Sequence, residues 1–358
     1  MAAVTGEAYR VRVQDPTLGP QAFASSARER AVFRGMSVYS GNAHPGFARA
    51  ICSVLGIPVG EAEVFKFRND EIFVQIKENA REHDVFVVQS LGGPGTSDAI
   101  MELLIMLDAF KRASAGRITA VMPRFAYGRS DKKDQPRVPI TARLLADLVG
   151  VAGADRFLTM DLHQGQIQGF FSIPGDELTA FYPLVEYFSP DYAARDDAVV
   201  VVPDLGFAKK GRNFAEKLRL PLAFIETRRP GNSGESEILD VIGDVDFRRA
   251  IVIDDEIDTG GTVCNTIEAL QKRGVKDIVV ACVHPVLSGD AAARVAATGI
   301  RELVTTDTLP LSPTQRNDKI RVLSVAPLFA ETIKRIHEGE SVGALFASPS
   351  VQLPLRVT

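Results

Sequence analysis

The feature that most constrains the fold is a repeated alternation of short β-branched segments with segments of helical periodicity. The segments DVFVVQS, RITAVMP and RFLTMD are separated by stretches that are long enough to form a helix. Parallel strands need a crossover of about a dozen residues or more, so this spacing predicts βαβ units. The predicted strands are 84–90, 117–123 and 156–161, and the predicted helices between them are 97–113 and 141–149.

The first of these helices has a well-defined apolar face. We expect Ser97 to cap its N-terminus and Asp98 to interact favourably with the helix dipole. The face consists of residues at helical spacing: Ile100, Leu103, Leu104, Leu107 and Phe110.

A second series of the same kind begins near residue 198. Two such series predict two doubly wound sheets with helices on both faces, and ligands are expected beyond the carboxyl ends of the strands. The predicted strands are 198–204, 222–226, 250–255, 277–285 and 302–308, and the predicted helices are 212–218 and 262–272.

Composition narrows the classes of partner. A formal net charge of −4 gives no general attraction to nucleic acid or to an anionic membrane, so any bound phosphate has to be held by local groups.

The three cysteines, Cys52, Cys264 and Cys282, are far apart in sequence. They fit neither a disulfide framework nor a metal site, which favours a reduced, cytosolic compartment. We expect no membrane span and no signal peptide, and we interpret residues 1–35 as a partly disordered extension.

The segment AIVIDDEIDTGGT is the most specific chemical motif. A strand of buried type ends at Asp254 and Asp255, and the residues 258–262 (Asp258, Thr259, Gly260, Gly261, Thr262) then open a helix. Glycines let backbone amides approach a phosphate, and the helix directs its positive end at the anion. The paired carboxylates can accept hydrogen bonds from a sugar diol. The pattern predicts a sugar-phosphate site, although an Asp-Asp pair could also just cap a turn.

This motif resembles the phosphoribosyl loop that phosphoribosyltransferases share with phosphoribosyl diphosphate synthases. The segment MDLHQGQIQGFFSIP resembles a signature of the synthases, and matches in the right order extend over residues 38–347. The resemblance implies a ribose-phosphate diphosphokinase, which transfers the β,γ-diphosphoryl group of MgATP to ribose 5-phosphate. It also implies a homo-oligomer, as a hexamer built from dimers, in the cytoplasm.

The resemblance implies an α/β fold with two similar doubly wound, phosphoribosyltransferase-like domains and mainly parallel sheets. The nucleotide-side domain would span residues 36–183, and the ribose 5-phosphate-side domain would span residues 184–325. Residues 326–358 would form a helix around 328–337 and a tail that pack back on the first domain.

Further site residues are carried over from the family motifs. His163 and Asp204 match a magnesium-associated pair, and Arg129 matches an arginine that contacts the nucleotide phosphates. Ser130 stands where the family commonly has glutamine. The other residues expected to bind ATP, in part across a subunit boundary, are Phe67, Asn69, Asp70, Glu71 and Asp134.

The segment FIETRRPGNSGESE matches a mobile loop that holds the transferred diphosphate. Thr227 stands where a lysine is expected, and Arg228 and Arg229 follow it, with Arg229 also expected to contact ribose 5-phosphate. The missing ammonium leaves a non-catalytic or weakly active regulatory subunit of such a synthase as an alternative, beside a phosphoribosyltransferase. Arg228, or Lys209 and Lys210, could supply the absent charge.

The resemblance also implies a regulatory anion site at a subunit interface. Arg81, Gln168, Asp176 and Ser341 match it, whereas Asn79 and Gly343 replace hydroxyl residues that are often found there.

Overall fold

The computed structural model describes residues 33–228, 237–244 and 248–347. Residues 1–32 of the predicted extension and the tail beyond residue 347 lie outside these ranges.

The first half of the chain forms a parallel sheet and a separate hairpin. Its strands are β1 (Met36–Ser40), β2 (Ala62–Lys66), β3 (Ile72–Ile76), β4 (Asp84–Val88), β5 (Arg117–Met122), β6 (Arg156–Met160) and β7 (Gly175–Leu178). The sheet has the order β1-β4-β5-β6-β7, and every pairing in it is parallel. Strands β2 and β3 form an antiparallel pair. The helices are α1 (Pro45–Leu55), α2 (Thr96–Arg112) and α3 (Thr141–Ala152).

The second half forms a larger, mainly parallel sheet. Its strands are β8 (Ala198–Val202), β9 (Leu222–Arg228), β10 (Glu237–Ile242), β11 (Arg249–Ile257), β12 (Asp277–Pro285), β13 (Glu302–Thr306) and β14 (Ile320–Leu323). The order is β10-β9-β8-β11-β12-β13-β14, with β10 antiparallel to β9. The helices are α4 (Phe181–Tyr192), α5 (Ala208–Leu218), α6 (Gly261–Lys272), α7 (Ala291–Ala297), α8 (Ala326–Glu338) and α9 (Ala344–Ala347).

The predicted α/β class with mainly parallel sheets is confirmed, and each strand and helix predicted above is present. The predicted capping role of Ser97 is wrong. Helix α2 begins at Thr96, and its N-cap is Gly95 in a left-handed conformation without a side-chain cap. Asp98 does lie in the first turn.

Three apolar clusters hold the layers together. The largest combines side chains from both sheets, for example Phe86 and Leu158 from the first and Val200 and Ile251 from the second. A second cluster lies between the first sheet and helices α2 and α3, and a third lies between the second sheet and helices α6 and α7. The shared cluster fixes the two sheets against each other, so the carboxyl ends of their strands can contribute to one site.

Helix α8 packs against α1 and the first sheet. The rings of Phe47 and Phe329 make an edge contact with centroids 5.2 Å apart. Asp84 is fully buried, accepts two hydrogen bonds from Arg117, and lies 3.0 Å from Nδ1 of His337 in α8. Arg117 also donates to the carbonyl of Ile336 at 2.9 Å, so the buried Asp84–Arg117 pair contacts α8 on both of its members.

A search of the described residues finds no helix with the length and apolar character that crossing a membrane requires.

Candidate active site

The main site is a cavity of about 420 Å³ at the carboxyl ends of strands from both sheets. Strand β11 and the start of α6 form one wall with residues 254–263, and Asp204 lies just after β8. His163 follows β6 and Arg129 follows β5, so these two come from the first sheet. The cavity therefore brings together residues that the sequence assigned separately to the sugar, the metal and the nucleotide.

The turn between β11 and α6, here called the ribose loop (residues 254–262), presents a helix N-terminus to this cavity. Its N-cap Gly260 has φ +76°, and a Cβ there would lie 3.0 Å from Val295, so glycine suits both the backbone and the space. No side chain caps α6, which leaves the amides of its first turn available to an anion. The amides of Leu287 and Ser288 donate to the carbonyls of Ile257 and Asp258 and hold the loop from behind.

The two aspartates at the end of β11 have opposite protonation tendencies. Burial raises the pKa of Asp254 well above its usual value, and the charge of Asp255 adds to this effect. Burial alone would also raise the pKa of Asp255, but the hydrogen bond and charge of His163 outweigh it and lower the pKa to about 2. His163 Nδ1 lies 2.6 Å from Asp255 Oδ2. The low pKa of Asp255 favours an ionised acceptor, the raised pKa of Asp254 shifts that group toward its protonated form, and carboxyl groups of either kind can hydrogen-bond the hydroxyls of a sugar.

Arg129 forms the boundary between this cavity and a second one of about 520 Å³. Ser130 and Asp134, which are also expected to bind ATP, line the second cavity. The hydroxyl of Ser130 accepts from the amide of Thr141 at 3.2 Å, so it helps to begin helix α3. The two cavities thus lie next to each other and share Arg129 and Asp258, with the other predicted sugar residues in the first and Ser130 and Asp134 in the second.

The remaining predicted nucleotide residues lie on the turn between β2 and β3, here called the nucleotide hairpin (residues 67–71). Phe67 is 47% exposed and contacts the rings of Phe65 and Phe73. The turn is closed locally, since Phe67 N donates to Glu71 O at 2.8 Å and Glu71 N donates to Asn69 Oδ1. None of the residues described as lining the two cavities belongs to this hairpin. The structure therefore does not bring the hairpin together with Arg129 within this chain.

Comparisons with known proteins indicate the family to which the chain belongs. The model of the N-terminal domain of ribose phosphate pyrophosphokinase matches residues 36–153, and that of the phosphoribosyl synthetase-associated domain matches residues 230–347. A ribose-phosphate pyrophosphokinase of Clostridium acetobutylicum is 50% identical over 313 residues, which are 87% of this chain and 98% of the relative. One from Agrobacterium fabrum is 48% identical over 312 residues, which are 87% of this chain and all of the relative.

This chain belongs to the ribose-phosphate pyrophosphokinase family. The crystal structure of phosphoribosylpyrophosphate synthetase from Mycobacterium smegmatis agrees, with a TM-score of 0.80 and 42% identity over 86% of this chain and 100% of that one. Pyrophosphokinase relatives cover both halves of the chain, so the comparisons do not favour the phosphoribosyltransferase alternative.

Within this family assignment, His163 and Asp204 can be tested as metal-binding residues. Asp204 is exposed, and its Oδ1 accepts from the amide of Gly206 at 2.7 Å. Nδ1 of His163 is already paired with Asp255. Within the ranges that the structure describes, no three His, Cys, Asp or Glu residues are grouped to hold a metal by themselves. Mg²⁺ commonly binds through one or two carboxylates together with water and substrate phosphates, so this donor set fits a metal shared with a nucleotide.

The diphosphate loop is described only in part. Thr227 and Arg228 are the last residues of β9, and nothing is described of their side chains. Arg229 and the following residues to 236 lie outside the described residues.

Lys210, one of the residues that could supply the charge missing at Thr227, makes its contacts outside the main cavity. Its Nζ donates to the carbonyl of Leu162 at 3.0 Å and lies 3.5 Å from Asp161. Neither Lys209 nor Lys210 is among the described residues that line the main cavity. The idea that Lys210 replaces the missing lysine is therefore not supported by its contacts.

Sequence reasoning missed three residues that connect the sheets at the site. Glu256 lies beside the aspartates and pairs with Arg124 and Arg129. His284 is buried at the end of β12, with Nε2 3.2 Å from the carbonyl of Met160 in β6 and Nδ1 2.9 Å from Thr308. Glu256 had a visible signal, because it is a third acid in the run DDE; the partners of Arg124 and His284 lie too far along the chain for a local pattern.

The residues matched to the regulatory site have mostly local partners. Asp176 pairs with Arg156 at 2.7 Å, and Gln168 donates to Glu177. The side chain of Asn79 accepts from the amide of Arg81.

Proposed function

We propose that this chain transfers the β,γ-diphosphoryl group of MgATP to the anomeric hydroxyl of ribose 5-phosphate, giving 5-phosphoribosyl 1-diphosphate and AMP. One observation carries the proposal: a single cavity contains the ribose loop, Asp204, His163 and Arg129. Both substrates can therefore meet at the carboxyl ends of the two sheets. Membership of the pyrophosphokinase family points to the same reaction.

Ribose 5-phosphate would bind through the ribose loop. Its phosphate would accept hydrogen bonds from the first-turn amides of α6 and from the hydroxyls of Thr259 and Thr262, with Asp258 beside them. Its ring hydroxyls would interact with Asp254 and Asp255, whose carboxyl groups lie at the cavity and can accept hydrogen bonds from a diol. Arg229 would complete this site from the diphosphate loop.

ATP would bind on the far side of Arg129, in the cavity that Ser130 and Asp134 line. Asn69, Asp70, Glu71 and the ring of Phe67 would recognise the adenine of a nucleotide bound to a neighbouring copy of the chain. The exposure of Phe67 supports this arrangement, because an aromatic ring that is half open can stack on a base. The active form would then be a homo-oligomer in the cytoplasm, proposed to be a hexamer built from dimers.

The transfer needs orientation and charge neutralisation more than a covalent nucleophile. Arg129 would hold the nucleotide phosphates, and Arg228 and Arg229 would hold the diphosphate as it moves. Mg²⁺ bound with ATP near Asp204 and His163 would supply positive charge to the phosphates. Thr227 contributes no charge at the position of the expected lysine.

Because the two substrates would be bound by different parts of the chain, we propose two domains. Residues 36–183 would form the domain on the nucleotide side, and residues 184–325 the domain on the ribose side. Each would contain one of the two sheets. Residues 326–358 would return to the first domain, as the contacts of α8 with α1 and Asp84 suggest.

Release of AMP by the purified chain from ATP, Mg²⁺ and ribose 5-phosphate tests the proposal. We expect AMP and 5-phosphoribosyl 1-diphosphate in equal amounts, and no AMP when ribose 5-phosphate is omitted. Binding of ATP without any turnover would instead support the non-catalytic regulatory subunit suggested by Thr227. Turnover of a nucleobase with 5-phosphoribosyl 1-diphosphate would support a phosphoribosyltransferase.

A further inference from the structure

Glu256 connects the two cavities through a pair of arginines. Its Oε2 accepts from Arg124, with Nε at 3.2 Å and a terminal nitrogen at 2.9 Å, and its Oε1 lies 2.7 Å from Nε of Arg129. Both arginines follow β5 in the first sheet, whereas Glu256 belongs to β11 in the second. The carboxylate thus bridges the two sheets at the site.

The two arginines differ in how firmly they are held. Arg124 is 13% exposed and also donates to the carbonyl of Leu91 at 2.6 Å, so its guanidinium is fixed on two sides. Arg129 is 47% exposed and lines both cavities. Arg124 and Glu256 also line the second cavity but are fixed by their mutual contacts, so Arg129 is the member with the most exposed side chain for a ligand.

Glu256 is also linked directly to the residues that face the sugar. Oδ1 of Asp255 accepts from the backbone amide of Glu256 at 3.0 Å. On the other side, Arg129 reaches Asp258 at 3.4 Å. The ribose loop and the guanidinium of Arg129 are therefore joined by short contacts through Asp258 and Glu256.

We propose that Glu256, held by Arg124, is a positioning residue that sets Arg129 for the nucleotide phosphates when the ribose loop is occupied. The proposal rests on the proposed function. A sugar hydroxyl that donates to Asp258 weakens the contact of Asp258 with Arg129, while Glu256 keeps the guanidinium at the boundary of the two cavities. Ribose 5-phosphate then increases the affinity for the nucleotide, and the nucleotide increases the affinity for the sugar by the same factor.

The test measures the dissociation constant of α,β-methylene-ATP with Mg²⁺, with and without ribose 5-phosphate, by titration calorimetry on the full chain. We expect ribose 5-phosphate to tighten binding of the analogue by on the order of tenfold in the parent chain. Glu256→Gln keeps the shape of the side chain but removes its charge, and we expect the ratio to fall toward one. A purely structural role would lower stability without changing this ratio.

A matched control is Glu302→Gln. Glu302 is another poorly exposed acid of the second sheet, at the opposite end of its strand, where it accepts from Tyr187 and lies 3.5 Å from Arg301. This variant should keep the parent ratio. Arg124→Met provides a second test if Glu256→Gln fails to fold, because it frees Glu256 without touching Arg129, and the ratio should again fall.

An unchanged ratio in folded Glu256→Gln, or in Arg124→Met, would overturn the inference. So would a parent chain that releases AMP but binds its two substrates independently. A parent chain that neither binds the analogue nor releases AMP would instead contradict the proposed function.

Discussion

The ribose loop and the nucleotide hairpin are both assigned to substrates, but the chain holds them in different ways. Asp255 in the ribose loop is 5% exposed and is paired with His163 from the other sheet. Phe67 in the hairpin is 47% exposed, and the turn around it is closed by its own backbone. The ribose loop can thus be preorganised within one chain, whereas the hairpin keeps an open face for a ligand or a second copy.

This difference predicts unequal effects of substitution. A residue in the ribose loop loses several partners at once, in a place from which water is largely excluded. Substitution of a hairpin residue such as Phe67 removes only the contact that its exposed side makes with a ligand. The predictions below follow that order.

The largest effect is expected for Asp255→Asn. The variant loses an ionised acceptor for the sugar and its charge pair with His163, which typically costs about 1.5–3 kcal/mol, or roughly tenfold to more than a hundredfold in affinity for ribose 5-phosphate. Affinity for ATP should change less. Calorimetric titration with each substrate measures the two effects.

Asp258→Asn is the comparison variant for the same loop. It should also weaken ribose 5-phosphate more than ATP, but less than Asp255→Asn does, because the side chain of Asp258 is 32% exposed. If both variants bind the sugar phosphate normally and lose ATP, the assignment of the loop is wrong.

Thr227→Lys is expected to raise the turnover number. An ammonium at this position would offset the negative charge that develops between the diphosphate and AMP, and a preorganised cation of this kind commonly lowers a barrier by roughly 3–4 kcal/mol. Arginine fits a compact ammonium position imperfectly, so Arg228 should replace the lysine only in part. We therefore expect at least about a tenfold increase, or about 1.4 kcal/mol, with both Michaelis constants within a few-fold.

Steady-state kinetics of AMP release measures this change, and Thr227→Gln, which is longer than threonine but uncharged, serves as the control. A parent chain that already turns over fast, together with no gain in Thr227→Lys, would mean that another group has taken over the role. Arg228→Ala and Lys210→Ala would then identify it, with the contacts of Lys210 favouring Arg228.

A smaller effect is expected for Phe67→Ala, which removes the ring proposed to stack on adenine. The Michaelis constant for ATP should rise by about fivefold, or roughly 1 kcal/mol, at a nearly constant turnover number. Phe67→Tyr keeps the ring and should behave like the parent chain. An unchanged constant for ATP in Phe67→Ala would remove the hairpin from the nucleotide site.

The same variant tests whether the hairpin serves a neighbouring copy. Mixed oligomers of Phe67→Ala and Asp255→Asn chains would contain some sites with an intact hairpin and an intact ribose loop. We expect the re-equilibrated mixture to be more active than the average of the two separate variants. Activity equal to that average would place both elements in one chain.

Hydrophobic periodicity and short motifs predicted much of the fold. They also predicted the part of the site that a single continuous segment forms. The valine-rich run of β8 and the motif from Asp254 to Thr262 can each be recognised from a short stretch of sequence. The cap of α2 was missed because a glycine in a left-handed turn took the place expected for Ser97.

Pairings between distant segments were beyond such reasoning. Arg124 and Glu256 are 132 residues apart, so the sequence around either residue does not indicate its partner. Their pairing depends on how the shared core aligns the two sheets, which no local pattern specifies. The orientation of Lys210 toward Leu162 depends on the same alignment.

The smallest effect expected in the parent chain itself is activation by inorganic phosphate, which we predict to be weak. The matched regulatory positions contain Asn79, whose side-chain oxygen is already bound to the amide of Arg81, and Gly343, which has no side chain. A Cβ at Gly343 would lie 3.7 Å from Oγ of Ser341, an ordinary contact, so Gly343→Ser can add a hydroxyl without steric conflict. The double variant Asn79→Ser/Gly343→Ser should therefore increase the response of AMP release to phosphate, while Gly343→Ala, which adds volume but no donor, should not.

Each added neutral hydrogen bond contributes about 0.5–1.5 kcal/mol, so the concentration of phosphate that gives half-maximal activation should fall by a few-fold up to roughly a hundredfold for the pair. Strong, saturable activation of the parent chain by phosphate would show instead that the anion is held by other donors, and Arg81→Ala would then be the variant to examine.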